Sequence, residues 1–169
     1  MRLSLFFCLL SSTLFATAQK QASKLEIMFL SADTVYLVRH EPTGGIGLVD
    51  KETRKKVPLP PLLVKGRPNY SIWRQSKVLQ DTALKRLAKI LSRPYRNKSH
   101  IVETCNCIPM PLHTIFIVKS GKTSFITIAF WGLGIEASKG VPLEYFDDRK
   151  WNELDDFITQ QGITIKLGE

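Results

Sequence analysis

The chain has 169 residues, 44% of them hydrophobic, with 24 Lys and Arg against 15 Asp and Glu and a formal net charge of +9. That length supplies one domain able to bury a core without disulfide or metal staples. The composition excludes a low-complexity polymer, and no stretch after the first eighteen residues is long and apolar enough to cross a bilayer.

Met1–Ala18 comes first and has the pattern of a secretory leader. Arg2 supplies the charge, Leu3 to Phe15 the apolar stretch, and Ala16-Thr17-Ala18 the small-residue exit before Gln19. The apolar stretch is shorter than the roughly 20 residues a membrane span needs, so a cleaved leader is expected rather than an uncleaved anchor. The mature chain is then a single domain over 19–169, in the periplasm or outside the cell. Cys8 leaves with the leader and lacks the small preceding residues of a lipoprotein site. Cys105 and Cys107 remain. In an exported chain a disulfide between them is conceivable, yet two residues of spacing on an extended segment strain the bridge. Bridged and separate thiols both stay open.

Lys24–Leu30 and Thr34–His40 are short apolar runs rich in β-formers and are expected as strands. Glu41–Gly47 reads as a turn, and Leu48–Asp50 as the start of a return strand. Glu52–Pro61 is charged and then proline-rich, a loop or an edge. Leu62–Gln80 has no clean period. Asp81 is placed to cap a helix running to about Ser92, with Leu84, Leu87, Ala88 and Leu91 on one buried stripe. His100–Glu103 is a candidate strand. Leu112–Val118, Ser120-Gly121 and Thr123–Phe130 form the best hairpin signal, apolar on both faces and therefore central in a covered sheet. Trp131–Pro142 reads as loop. Asp147 or Asp148 caps a last helix to about Gln161, with Trp151, Leu154, Phe157 and Ile158 inward and Gly162 as its stop. Ile163–Leu167 alternates like a terminal strand. The order predicts an α+β fold, a mostly antiparallel sheet with two helices packed on one face.

Charge is distributed unevenly. Lys51 to Lys98 carries fourteen Lys or Arg against Glu52 and Asp81, whereas Gly140 to Glu169 carries seven acids against Arg149, Lys150 and Lys166. Within the basic half, Lys85, Arg86, Lys89 and Arg93 share one side of the predicted helix, with Tyr70, Trp73 and Tyr95 close in sequence. Such a face can meet an anionic surface or polymer, or can simply be a solvated helix face. Cys105, Cys107 and His113 offer two thiols and an imidazole for a soft metal, although a structural zinc site usually shows a fourth ligand and only His100 is near. Asn97-Lys98-Ser99 is a formal glycosylation sequon.

Two resemblances add to this reading. Val35-Tyr-Leu-Val-Arg39-His40-Glu41-Pro-Thr43 resembles the opening of the histidine phosphatases. The resemblance implies His40 as the phosphoryl-accepting nucleophile and Arg39 as the phosphate clamp. That family has Gly or Ala where Glu41 stands, and it needs a second His and further Arg residues late in an alternating layout. From Leu62 onward the chain resembles small exported proteins of Gram-negative bacteria to which no activity is attached. Leu62–Gly66, Leu84–Leu91, Cys107 with Pro111-Leu-His113-Thr-Ile-Phe116, Phe125–Phe130, Gly134–Lys139 and Asp148–Leu154 carry the likeness. The family's later cysteine pair falls near Ala129 and Gly132 here.

Together these features point to an exported, non-enzymatic binding domain with a basic flank. No cofactor is called for, and the alternatives are a phosphatase-like use of His40 and Arg39 or a Cys/His site. Intact-mass analysis of protein recovered from the exporting cell is expected to show an N-terminus at Gln19. Recovery with Met1 still attached contradicts the leader.

Overall fold

The computed structural model describes residues 22–43, 59–92, 112–130, 134–143 and 146–164. Its frame is a five-stranded antiparallel sheet. Five segments build it: β1 (Thr34–His40), β4 (Trp73–Val78), β5 (His113–Lys119), β6 (Lys122–Ala129) and β7 (Gly134–Ala137). Their spatial order is β4-β1-β5-β6-β7. A separate two-stranded ribbon pairs β2 (Leu63–Val64) with β3 (Arg67–Pro68). Among the described residues, three α-helices complete the fold: α1 (Lys24–Leu30), α2 (Asp81–Leu91) and α3 (Trp151–Gln160). The α+β class and mostly antiparallel sheet expected from the sequence are present, with one helix more than the two expected.

The extra helix is α1, where Lys24–Leu30 was expected as a strand. A side-chain N-cap explains it. The Ser23 hydroxyl accepts from the Glu26 amide at 3.1 Å, so Ser23-Lys-Leu-Glu26 closes the first turn. Leu25 and Phe29, four residues apart, are then buried together on one side. Gly134–Ala137 also departs from expectation: it is a strand, not loop, because its backbone pairs with Ile126–Ala129 of β6. Ile163 and Thr164 are outside any strand, and the rest of the expected strand to Leu167 lies outside the described residues. So do the candidate strands at Leu48–Asp50 and His100–Glu103.

The hairpin lies where the sequence places it. Ser120 and Gly121 both take positive φ, 49° and 75°, the two-residue turn whose twist matches antiparallel strands. The Asp33 carboxylate accepts from the Ser120 amide at 2.6 Å and ties this turn to the start of β1. Because β5 sits in the middle of the sheet, His113 to Ile117 are buried on both faces.

One face carries the main core. Val35, Leu37, Ile115, Ile117, Ile126 and Ile128 pack beneath Leu84, Leu87, Ala88 and Leu91 of α2 and Leu154, Phe157 and Ile158 of α3. The two predicted helical stripes are therefore the buried ones. Gln80, not Asp81, is the N-cap of α2, and it makes no side-chain cap bond. Asp81 sits in the first turn, where its charge favours the helix dipole. Asp147 and Asp148 do not cap α3 directly; a 3-10 turn over Asp148–Lys150 intervenes. At the other end Gly162 takes φ 79°, and the Gly162 and Ile163 amides bond back to Thr159 and Ile158. That is the αL stop expected of Gly162.

Among the described residues, no α-helix covers the opposite face. Val38, Thr114 and Phe116 are fully buried there, and Trp73 stacks on Phe116 with centroids 5.7 Å apart. The ribbon's β3 lies near β6.

Ile115 is wholly buried in the central strand, so Ile115→Ala is expected to cost about 3 kcal/mol, read as a lower urea midpoint. Lys122→Ala, at the exposed start of β6, is expected to stay within about 0.5 kcal/mol of the parent. Equal effects at the two positions contradict this packing.

Candidate functional site

The residues singled out by the sequence meet the sheet in three places. At the end of β1, Arg39 pairs with His113 of β5, while the His40 amide bonds to the Leu112 carbonyl at 2.9 Å. Successive residues of a strand point to opposite faces. The Arg39–His40 pair is therefore divided: Arg39 shares the helix-covered face with His113, and His40 shares the other face with Val38 and Thr114. A register shift against β4 falls beside this pair, where Arg74 is the additional residue on β4 and forms an ion pair with Glu41.

His40 is 2% exposed. Its Nδ1 lies 2.6 Å from the Glu41 carbonyl oxygen and its Nε2 lies 2.8 Å from the Thr114 hydroxyl. A carbonyl only accepts, so Nδ1 carries the proton and the Thr114 hydroxyl donates to Nε2. Burial pushes the imidazole pKa down, partly offset by the bond to the Glu41 carbonyl. A phosphoryl-accepting histidine needs an unprotected ring nitrogen beside clustered cations. Here both nitrogens are engaged inside the fold.

His113 is equally buried but uses the opposite ring nitrogen. Its Nε2 donates to the Thr164 carbonyl at 3.0 Å. The ring meets Phe130 edge-on at 5.5 Å. Thr164 is itself held by Gln75 of β4: the Thr164 amide donates to Oε1 at 2.8 Å, and Nε2 donates to the Thr164 hydroxyl at 3.2 Å. Gln75, Arg39 and His113 thus form one cross-strand row that receives the chain as it leaves α3. Burial lowers the His113 pKa. The Thr164 carbonyl raises it, His40 and Arg39 lower it further, and Asp155 raises it slightly.

Cys105 and Cys107, the other members of the candidate metal set with His113, lie outside the described residues. Among the described residues no three His, Cys, Asp or Glu side chains gather as metal ligands. The sequon at Asn97 also lies outside them.

The basic face is the third place. Lys85, Arg86 and Lys89 are exposed on α2, opposite its buried stripe, and Arg93 lies outside the described residues. Arg86 is held against α3: it donates to Gln160 Oε1 at 2.5 Å and its guanidinium sits over the Phe157 ring at 5.6 Å. Sequence reasoning missed Lys150. This lysine is 6% exposed, bonds Glu153 at 3.1 Å, and points its ammonium at the Lys89 carbonyl in the last turn of α2, 3.5 Å away. A cation there favours the negative end of the helix. Next to it, the Arg149 guanidinium bonds both Asp147 oxygens and holds that carboxyl below its usual range. The chain matches no family model, no curated protein and no solved structure.

The two histidines give stability a pH signature. Unfolded, they titrate at about 6.5; folded, burial lowers both values. Just below pH 6.5 the unfolded chain binds more protons. Their contribution is therefore complete above that pH and falls as acid is added, until the folded rings protonate. Each histidine adds a slope of at most about 1.4 kcal/mol per pH unit. Urea midpoints are expected to drop between pH 7.5 and 5.5 in the parent, and to drop much less in His40→Asn/His113→Asn. Parallel profiles contradict the assignment.

Proposed function

We propose that this protein is an exported, non-enzymatic binding domain that holds an anionic partner on its basic flank. One observation carries the reading. Lys85, Arg86 and Lys89 stand exposed along α2, and among the described residues no carboxylate pairs with any of them. Lys85 and Lys89, with no carboxylate partner, stay hydrated and available, while Arg86 adds its charge from its seat against Gln160 and Phe157. Such cations gain most when an anionic polymer or surface releases its own counterions to them.

Three further observations support it. Lys77, exposed on β4, lies four residues before the start of α2 and extends the positive character toward the sheet edge. Both buried histidines spend hydrogen bonds on the fold, which favours a structural over a nucleophilic role. Met1–Ala18 supports export.

Retention on immobilised heparin tests the reading. The parent is expected to elute well above the salt that releases a neutral protein. Lys85→Gln/Lys89→Gln is expected to elute earlier with an unchanged unfolding midpoint, since both side chains are on the surface. On duplex DNA the log–log salt slope is expected to fall by about 0.9 per lost phosphate contact. Elution of the parent at low salt contradicts the proposal.

A further inference from the structure

The outer side of α1 is unlike an ordinary solvated helix face. Leu25 and Phe29 fill the core, and the residue pointing most directly away from them is Ile27, 56% exposed, with Leu30 beside it at 40%. A polar side chain is the usual occupant of such a position. These two are among the few large apolar side chains exposed in the described residues.

The same side of the molecule carries the basic face. α1 and α2 bury their stripes in one core over one sheet face, so their outward sides look the same way. They lie next to each other, and the start of α1 is joined to the end of α2 by a hydrogen bond between Ser23 Oγ and Ser92 Oγ at 3.0 Å. Lys24 is exposed in the first turn of α1. Beyond its other end, Lys119 reaches the Ser31 hydroxyl at 2.9 Å. Two exposed aliphatic side chains are thus bracketed by Lys24 and Lys119 along α1 and flanked by Lys85 and Lys89 on α2. The nearby acids are fewer: Glu26 is half-buried in the first turn of α1, Asp33 accepts from the Ser120 amide beyond the end of α1, and Asp81 sits at the far end of α2 from Ser92.

We propose that the α1–α2 face docks on an anionic lipid surface, with Ile27 and Leu30 entering the headgroup boundary and the lysines meeting lipid phosphates. The two chemistries divide the work. Ammonium groups draw the face to the surface, and aliphatic side chains hold it there by leaving water. A soluble anionic polymer satisfies the lysines but leaves Ile27 and Leu30 in water, which is why a lipid surface suits the whole face better. The inference rests on the proposed anionic-partner function and names the class of partner.

Co-sedimentation with vesicles tests it, using protein recovered from the exporting cell. Phosphatidylcholine vesicles are compared with vesicles containing about one-third phosphatidylglycerol, at low and moderate salt. The parent is expected to bind only the anionic vesicles. Lys85→Gln and Lys89→Gln are each expected to weaken binding about fivefold. Ile27→Ser/Leu30→Ser is expected to weaken it about tenfold while leaving heparin retention and the unfolding midpoint as they were. Equal vesicle binding by Ile27→Ser/Leu30→Ser overturns the inference. So does heparin retention by a parent that ignores anionic vesicles, which identifies a polymer as the partner and leaves the broader function standing. Binding to neutral vesicles as tightly as to anionic ones overturns it too. Loss of heparin retention by the parent removes the anionic-partner function itself.

Discussion

The central strand β5 is buried on both faces, and most of the remaining structure follows from that constraint. Its two neighbours must pair with it along nearly its whole length, because an unpaired amide there has no water to turn to. Its helix-side residues, Ile115 and Ile117, then require a hydrophobic cover, and α2 and α3 supply it. Its other side presents Thr114 and Phe116, which need a hydroxyl partner and an aromatic neighbour; His40 and Trp73 fill those roles. At the ends of β1 and β5 a histidine on each face takes up a main-chain carbonyl.

This arrangement decides what the Arg-His dipeptide is able to do. In a strand whose pairing with β5 is regular, adjacent residues diverge, and the bulge on β4 does not rotate them together. Arg39 belongs to the layer under the helices and His40 to the layer beneath the aromatic side chains. A phosphate site built on both would require one of them to change faces alone, and a register shift of the strand cannot do that, because it moves every side chain together and would also expose Val35 and Leu37. The same geometry gives the chain end a fixed seat. Thr164 is gripped by Gln75 and His113, residues 89 and 51 positions away, so the segment after α3 closes over the sheet end.

Much of this is legible in the residues. The stripe of α2, the stripe of α3, the Gly162 stop and the Ser120-Gly121 turn are local patterns, and local patterns carry their own physics. The misreadings also have physical causes. Ile27, Met28, Phe29 and Leu30 are a short apolar run that suits strand or helix, and the Ser23 N-cap decides for helix; that signal was present in the sequence. Gly134–Ala137 has little strand character of its own and is held by β6, so only the tertiary pairing reveals it. The partners of His40 and His113 were not legible, because Thr114 is 74 residues from His40 and Thr164 is 51 from His113. On the surface, the spacing of the cations was readable, but their neighbour α1, with Ile27 outward, emerges only when the helix is recognised.

The account turns on two neutral imidazoles held in opposite tautomers by the strands that bury them. A long-range proton–nitrogen correlation spectrum of the folded protein at pH 7 tests this directly. His40 is predicted to carry its proton on Nδ1 and His113 on Nε2, with both rings titrating at lower pH than free histidine. Two rings in rapid tautomeric exchange, both titrating at the value of free histidine, contradict it.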